Sequence, residues 1–149
     1  MTVDMTPLAR AKRTAGRSRG GLTTKIHMLS DTLGRPLRFV ITPGQASDIT
    51  AAPDLLKGQE AGAVLADKAY DSNDLRQRIA DMKAKAVIPS KRNRKVAIPH
   101  DTDVYKHRNR IERCFNRLKH FRRFATRYDR RTIHFTGFVH LAAAMIWLR

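Results

Sequence analysis

Residues 62–89 read GAVLADKAYDSNDLRQRIADMKAKAVIP, and the class of fold turns on how this stretch divides. GAVLAD is a short apolar run that ends abruptly on Asp67, the pattern of a buried central strand. DSNDLRQRIADMKAK follows with helical periodicity, and Asp71 or Ser72 is available as its N-cap. AVIP is another short buried strand. A strand, a helix and a strand in succession predict a mixed α/β architecture.

The flanks agree with that division. LTTKIHMLS and PLRFVIT are β-rich runs on either side of DTLGR, a turn-like stretch with Gly34, and predict an antiparallel hairpin. The second strand stops at TPGQ, where Pro43 followed by Gly44 suits a type II turn, and a short helix is expected over residues 51–57. Downstream, SKRNRKVAIPHDTD is framed by Pro89 and Pro99 and reads as a basic loop. A long helix over residues 103–128 and an apolar final helix complete the expected elements. FTGFVHLAAAMIWL is apolar for 14 residues, short of the roughly twenty that a membrane span needs, so it is expected to be a buried helix.

At 149 residues the chain is expected to form one domain with a substantial core. Its 30 Lys and Arg against 13 Asp and Glu leave a net charge of +17, which calls for a polyanionic partner, nucleic acid before an anionic membrane. The excess is localised. Residues 26–90 hold eight bases and eight acids, whereas residues 91–131 hold fifteen bases and four acids. Ile111, Phe115, Leu118, Phe121 and Phe124 interrupt those bases at helical spacing, which a solvated basic tail would not do. A single cysteine, Cys114, excludes an internal disulfide, and the six histidines show no HExxH-like spacing. With no signal-peptide pattern at the start, a cytoplasmic location is expected.

Within the basic region, YKHRNRIERCFNRLK (residues 105–119) carries one acid, Glu112. On a helical wheel Tyr105, Arg108, Glu112 and Lys119 fall within roughly 60° of one another. Ile111, Phe115 and Leu118 form the adjoining apolar face, and Lys106, Arg110, Arg113 and Arg117 lie on the far side. Glu112 at the border of the core needs a partner such as Arg108 or a bound cation. Asp67 is the second acid of interest, because ligands in open α/β sheets gather beyond the carboxyl ends of strands. Asp71 and Ser72 are better placed to cap, which leaves Asp67 free for chemistry. Asp48, before a short helix, reads as a cap. Two acids beside a basic face suit Mg²⁺ or Mn²⁺, which prefer oxygen ligands and are bound through one or two carboxylates plus substrate phosphate.

These residues resemble the DDE transposases of bacterial insertion sequences. That family has a helical signature of Tyr, two residues, Arg, three residues, Glu, six residues and Lys. Tyr105, Arg108, Glu112 and Lys119 match every position and spacing. ADKAYDS resembles the family's second Asp, at a strand end before a Tyr-containing turn, and maps it onto Asp67. GRSRGGLTTKIH, TPGQASD and RNRIERCFNRLKHFRRFATRY are also similar to the family, so the likeness runs from Gly16 onward. The resemblance implies a ribonuclease H-like fold, a mixed sheet flanked by helices, in which Asp, Asp and Glu hold two divalent ions. It implies hydrolysis of DNA at transposon ends, followed by attack of the freed 3′-hydroxyls on target DNA. It also implies that Tyr105, Arg108 and Lys119 hold the DNA, and that the chain works as a homodimer on transposon ends and target.

The departure from the family is at the front. Complete members carry an N-terminal DNA-binding region, and their first catalytic Asp sits in a first strand well before the GRSRGG phrase. Here Asp4 is either that metal ligand on a truncated first strand or a chance acid near the terminus. The chain is therefore expected to be the C-terminal catalytic part, active with a separate N-terminal fragment or reduced to a DNA-binding remnant. Lys91, Arg92, Arg94 and Lys95, on the basic loop, are expected to contact DNA phosphates without reading bases.

Overall fold

The β-branched and aromatic residues of TKIHMLSD and PLRFVITP build the two longest strands, β2 (Thr24–Asp31) and β3 (Pro36–Pro43). A computed structural model describes residues 3–7 by their backbone and residues 24–125, 129 and 131–148 in full. β2 and β3 pair as the expected antiparallel hairpin. Its turn is closed by the Gly34 N–H to the Asp31 carbonyl at 3.0 Å, with Gly34 at a φ of +75° that a side chain would resist. The ladder shifts register opposite Leu29 and Ser30, leaving Leu37 unpaired as a bulge on β3.

The strands form one mixed sheet in the order β3-β2-β1-β4-β5. β1 (Val3–Pro7) lies at its centre, antiparallel to β2 and parallel to β4 (Ala63–Leu65). β4 runs parallel to β5 (Lys85–Val87), and α2 (Asn73–Asp81) carries the chain between them. The division of residues 62–89 into strand, helix and strand is thus observed.

Because side chains alternate across a strand, consecutive residues of β2 feed two cores. Leu29 packs with Val64, Ala66, Tyr70 and Ile88 under α1 (Ala52–Leu56) and α2, which contribute Leu55, Leu56, Leu75 and Ile79. Met28 packs instead with Ile111, Cys114, Phe115 and Leu118 of α4 (Asn109–Lys119), Phe124 of α5 (Arg122–Ala125) and Phe135, Val139 and Ile146 of α6 (Thr132–Trp147). Helices therefore cover both faces. Cys114 is wholly buried here, and burial pushes its thiol up to about 11.

Four expectations need correction. The long helix is three: α3 (Thr102–Lys106), α4 and α5. Three-residue bonds tighten the chain at both breaks, as in Arg108 N–H to the Tyr105 carbonyl and Phe121 N–H to the Leu118 carbonyl, each 3.0 Å. A tightened turn keeps the apolar phase almost unchanged, so the wheel conceals it. The turn after β3 is centred on Gly44 and Gln45, closed by Ala46 N–H to the Pro43 carbonyl, and Gly44 has no positive φ. Of the two candidates Ser72 is the one that caps α2, accepting from Leu75 N–H, while Asp71 closes the 3-10 turn before it through its backbone N–H and has its carboxylate buried among cations. α6 is buried on one side only; Ile133, Leu141, Met145 and Leu148 are exposed. Among the described residues no helix is long and apolar enough to cross a membrane. The GRSRGG phrase at residues 16–21, and residues 126–128 of the expected long helix, lie outside the described residues.

Candidate active site

Asp67 follows β4 and is half-buried. Contrary to the capping argument, it has a local structural partner. It starts the 3-10 turn Lys68–Tyr70 and accepts from the Ala69 N–H at 2.6 Å. One N–H leaves most of the carboxylate's acceptor capacity open. Burial raises its pKa; the Ala69 N–H and the positive charge of Arg108 act the other way, and the charge of Asp48 adds to the rise. The turn itself is anchored from below by Tyr70, whose ring is fully buried and whose hydroxyl lies 3.0 Å from His27 Nδ1.

Glu112 lies on the first turn of α4 and is exposed. Its Oε1 accepts from Arg108 Nη2 at 2.5 Å, an i,i+4 pair running backwards along the helix from the offset where Asn116 stands. With the Glu112 side chain 47% exposed, the pair contributes only about 0.3–0.5 kcal/mol to stability. The Arg108 guanidinium lies 5.6 Å from the Tyr105 ring centre. Burial raises the Tyr105 pKa first of all, Arg108 opposes that rise, and the carboxylates of both Asp67 and Glu112 add to it. Asp67, Tyr105, Arg108 and Glu112 therefore share one neighbourhood beyond the end of β4, with the Arg108 cation among them.

Lys119 shares their stripe but lies seven residues beyond Glu112, about 10 Å along the helix axis. Asp4 stands in β1 with its backbone level with Leu65, two residues before Asp67; its side chain lies outside the described residues. Among the described residues no three His, Cys, Asp or Glu side chains gather as a metal group. Asp67 and Glu112 each offer hard oxygen donors, and Glu112 Oε2 has no bond to Arg108, donors that suit a divalent cation better than a soft one.

The basic loop is held from below. Asp71 accepts from Lys91 N–H, from Arg94 Nε and Nη2, and from Arg76 Nε, at 2.8–2.9 Å. Burial pushes the Asp71 carboxyl up, but these donors outweigh it and leave the group well below the usual carboxylate range. Arg94 is thus a brace, with its third nitrogen on Asn73, whereas Arg92 and Lys95 are exposed and Lys91 is bound only through its backbone. Two neighbours of the site are not assigned to it by the sequence, His100 because it is passed over there and Asp48 because it reads as a cap. His100 meets Tyr105 edge-on at 5.3 Å, and a lone histidine in a loop carries no signal. Asp48 acts electrostatically on Asp67 while pairing with Lys25 at 2.9 Å, rather than capping, since Ser47 occupies the cap position.

Comparison with known proteins gives consistent results. The family model described as "Transposase DDE domain" matches residues 2–148. A Brucella ovis protein, named as a transposase for insertion sequence element IS6501, is 46% identical over 130 residues, covering 86% of this chain and 100% of its own. A Burkholderia cepacia protein, named as a transposase for insertion sequence element IS402, is 31% identical over 142 residues, covering 87% of this chain and 64% of its own. No solved structure matches.

Proposed function

Since this chain belongs to the DDE transposase family of bacterial insertion sequences, we propose that it is a single catalytic domain that cuts and joins DNA at the ends of such an element. Water attacks an end phosphodiester and frees a 3′-hydroxyl; that hydroxyl then attacks a target phosphodiester and displaces a second 3′-hydroxyl. The observation that carries this reading is Arg108, which pairs with Glu112 at 2.5 Å and whose charge also acts on Asp67, just beyond the end of a sheet strand. The mixed five-stranded sheet with helices on both faces supports a ribonuclease H-like fold.

Asp67 and Glu112, with Asp4 as third carboxylate, are the residues to hold two divalent cations, Mg²⁺ or Mn²⁺. Bound there, such ions lower the pKa of water and offset charge on the phosphate. Arg108 keeps a fixed positive charge where the phosphate is cut, and Tyr105, packed between His100 and Arg108, offers the backbone a rigid edge. Lys119 reaches the strand further along the helix. Lys91, Arg92 and Lys95 neutralise phosphates at a distance, on a loop that Arg94 and Asp71 keep in shape.

Two copies act together on the DNA. α6 carries no formal charge from Thr132 to Trp147 in a chain of +17, so copies can meet there with less charge repulsion than on the basic faces. Ile133, Gly137, Leu141, Met145 and Leu148 recur along it at helical spacing, and a Cβ on Gly137 would meet nothing within 4 Å. Sedimentation should give a dimer that Leu141→Glu converts to monomer; a monomeric wild-type chain on end DNA removes this part of the reading.

The decisive experiment is Glu112→Gln in a Mg²⁺-dependent nicking assay on duplex carrying an insertion-sequence end. The variant should lose nicking while binding DNA as well as wild type or better, because a carboxylate facing phosphate is gone along with a metal ligand. Unchanged cleavage by the variant would refute the assignment.

A further inference from the structure

On the other flank of α4, about 130° round the helix from Glu112, lies a feature that the cleavage reaction does not use. Arg110, Arg113 and Arg117 share a stripe and, with Leu33 at the tip of the β2–β3 hairpin, line an open cleft of about 430 Å³. The stripe looks like a solvated basic face in the sequence, yet two of its members are positioned. The Arg110 guanidinium donates to the Thr32 carbonyl, and Arg117 Nη2 donates to the Gly34 carbonyl at 3.3 Å. The hairpin tip comes this close only because residue 34 is glycine: a Cβ there would stand 2.9 Å from the Arg110 carbonyl oxygen.

Each anchored guanidinium uses one donor on the hairpin and has four more. Among the described residues no carboxylate lines the cleft. The nearest acid on the hairpin, Asp31, is buried and engaged with Arg35, at 2.7 Å to Nε and 2.6 Å to Nη2, and with the N–H groups of Leu33 and Arg35. Like charges three and four residues apart on a helix repel, so this array opposes the free helix and is relieved when an anion sits in it. From Arg110 to Arg117 it spans about 10 Å of helix axis. That length exceeds a single phosphate and matches successive phosphates of a strand, which advance about 3.4 Å each.

We infer that the Arg110–Arg113–Arg117 cleft is a second DNA-backbone site, separate from the cleavage site and braced by the β2–β3 hairpin. The inference rests on the reading of the chain as DNA-acting, but its test does not depend on cleavage. Arg113 is the residue to change, because Arg110 and Arg117 also support the hairpin. The full chain, Arg113→Gln and Arg113→Lys are titrated onto a duplex without insertion-sequence ends, between 50 and 200 mM salt.

One lost phosphate contact lowers the slope of log affinity against log salt by about 0.9, so wild type should lose about 3.5-fold more affinity than Arg113→Gln over this range. Arg113→Lys should keep the wild-type slope. Leu33→Glu, which brings a carboxylate to the cleft from a residue 65% exposed, should act like Arg113→Gln and serves if that variant misfolds. Equal slopes for wild type and both charge-altering variants overturn the inference. Inorganic pyrophosphate binding that Arg113→Gln abolishes, with duplex slopes equal, would make the cleft a free-anion site and also overturn it. A wild-type chain that binds no duplex at all removes the DNA-acting reading itself.

Discussion

Replacing Asp71 with asparagine should destabilise the protein by about 3 kcal/mol, and the figure follows from the bonds that the carboxylate accepts. Oδ1 takes Arg76 Nε and Arg94 Nη2; Oδ2 takes Arg94 Nε and Lys91 N–H. The asparagine oxygen can keep the first two, but its amide turns donor toward donor on the others. Two bonds are lost, each worth about 0.5–3 kcal/mol depending on charge, and two guanidinium groups lose their counter-charge. Breaking a buried ion pair costs about 3–5 kcal/mol. The lower end applies here, because the Arg76 and Arg94 side chains are 11% and 16% exposed and keep Ile88 and Asn73 as partners.

Urea unfolding at pH 7 should show this loss as a lower midpoint with an unchanged slope, and the Tm should fall by roughly 6–12 °C. The folded-state pKa of Asp71 is depressed, so its contribution is present above the ordinary value of 3.8 and is lost as pH falls below it. The gap between wild type and variant should therefore narrow in acid. A loss under about 1 kcal/mol at pH 7, or a gap that does not change with pH, would mean that the network is not what holds the loop to the sheet.

Arg108→Ala should lower the single-turnover nicking rate at saturating DNA by about 10²–10³, as loss of a fixed transition-state charge does. Affinity should fall only by the few-fold expected of one phosphate contact; equal losses in rate and affinity would make Arg108 one more cation of the binding face. Burial lowers the pKa of His27, so stability should decline as pH falls below about 6.5 and the unfolded chain takes up the proton first. Urea midpoints between pH 7.5 and 5.5 test this, and a His27→Asn variant that declines just as steeply would assign the effect elsewhere.

Much of this protein is decided by local sequence. GAVLAD, the β2–β3 hairpin and the helix capped by Ser72 follow from apolar period and turn chemistry, which act within a few residues. The spacing of Tyr105, Arg108, Glu112 and Lys119 puts them on one stripe for the same reason, even though the helix breaks between Tyr105 and Arg108. What depends on contacts between distant segments was not legible. Asp71 and Asp67 stand four residues apart, and by sequence Asp71 is the better placed of the two to cap. Only the approach of Arg94, 23 residues away, makes Asp71 the buried counter-ion, while Asp67 takes the turn. Likewise Arg110 and Arg117 are surface bases by sequence, and become positioned donors because a hairpin 78 and 83 residues earlier folds against them. Charge and period are properties of a segment; the pairing of charges across the sheet, and hence which are free to meet DNA, is a property of the packed whole.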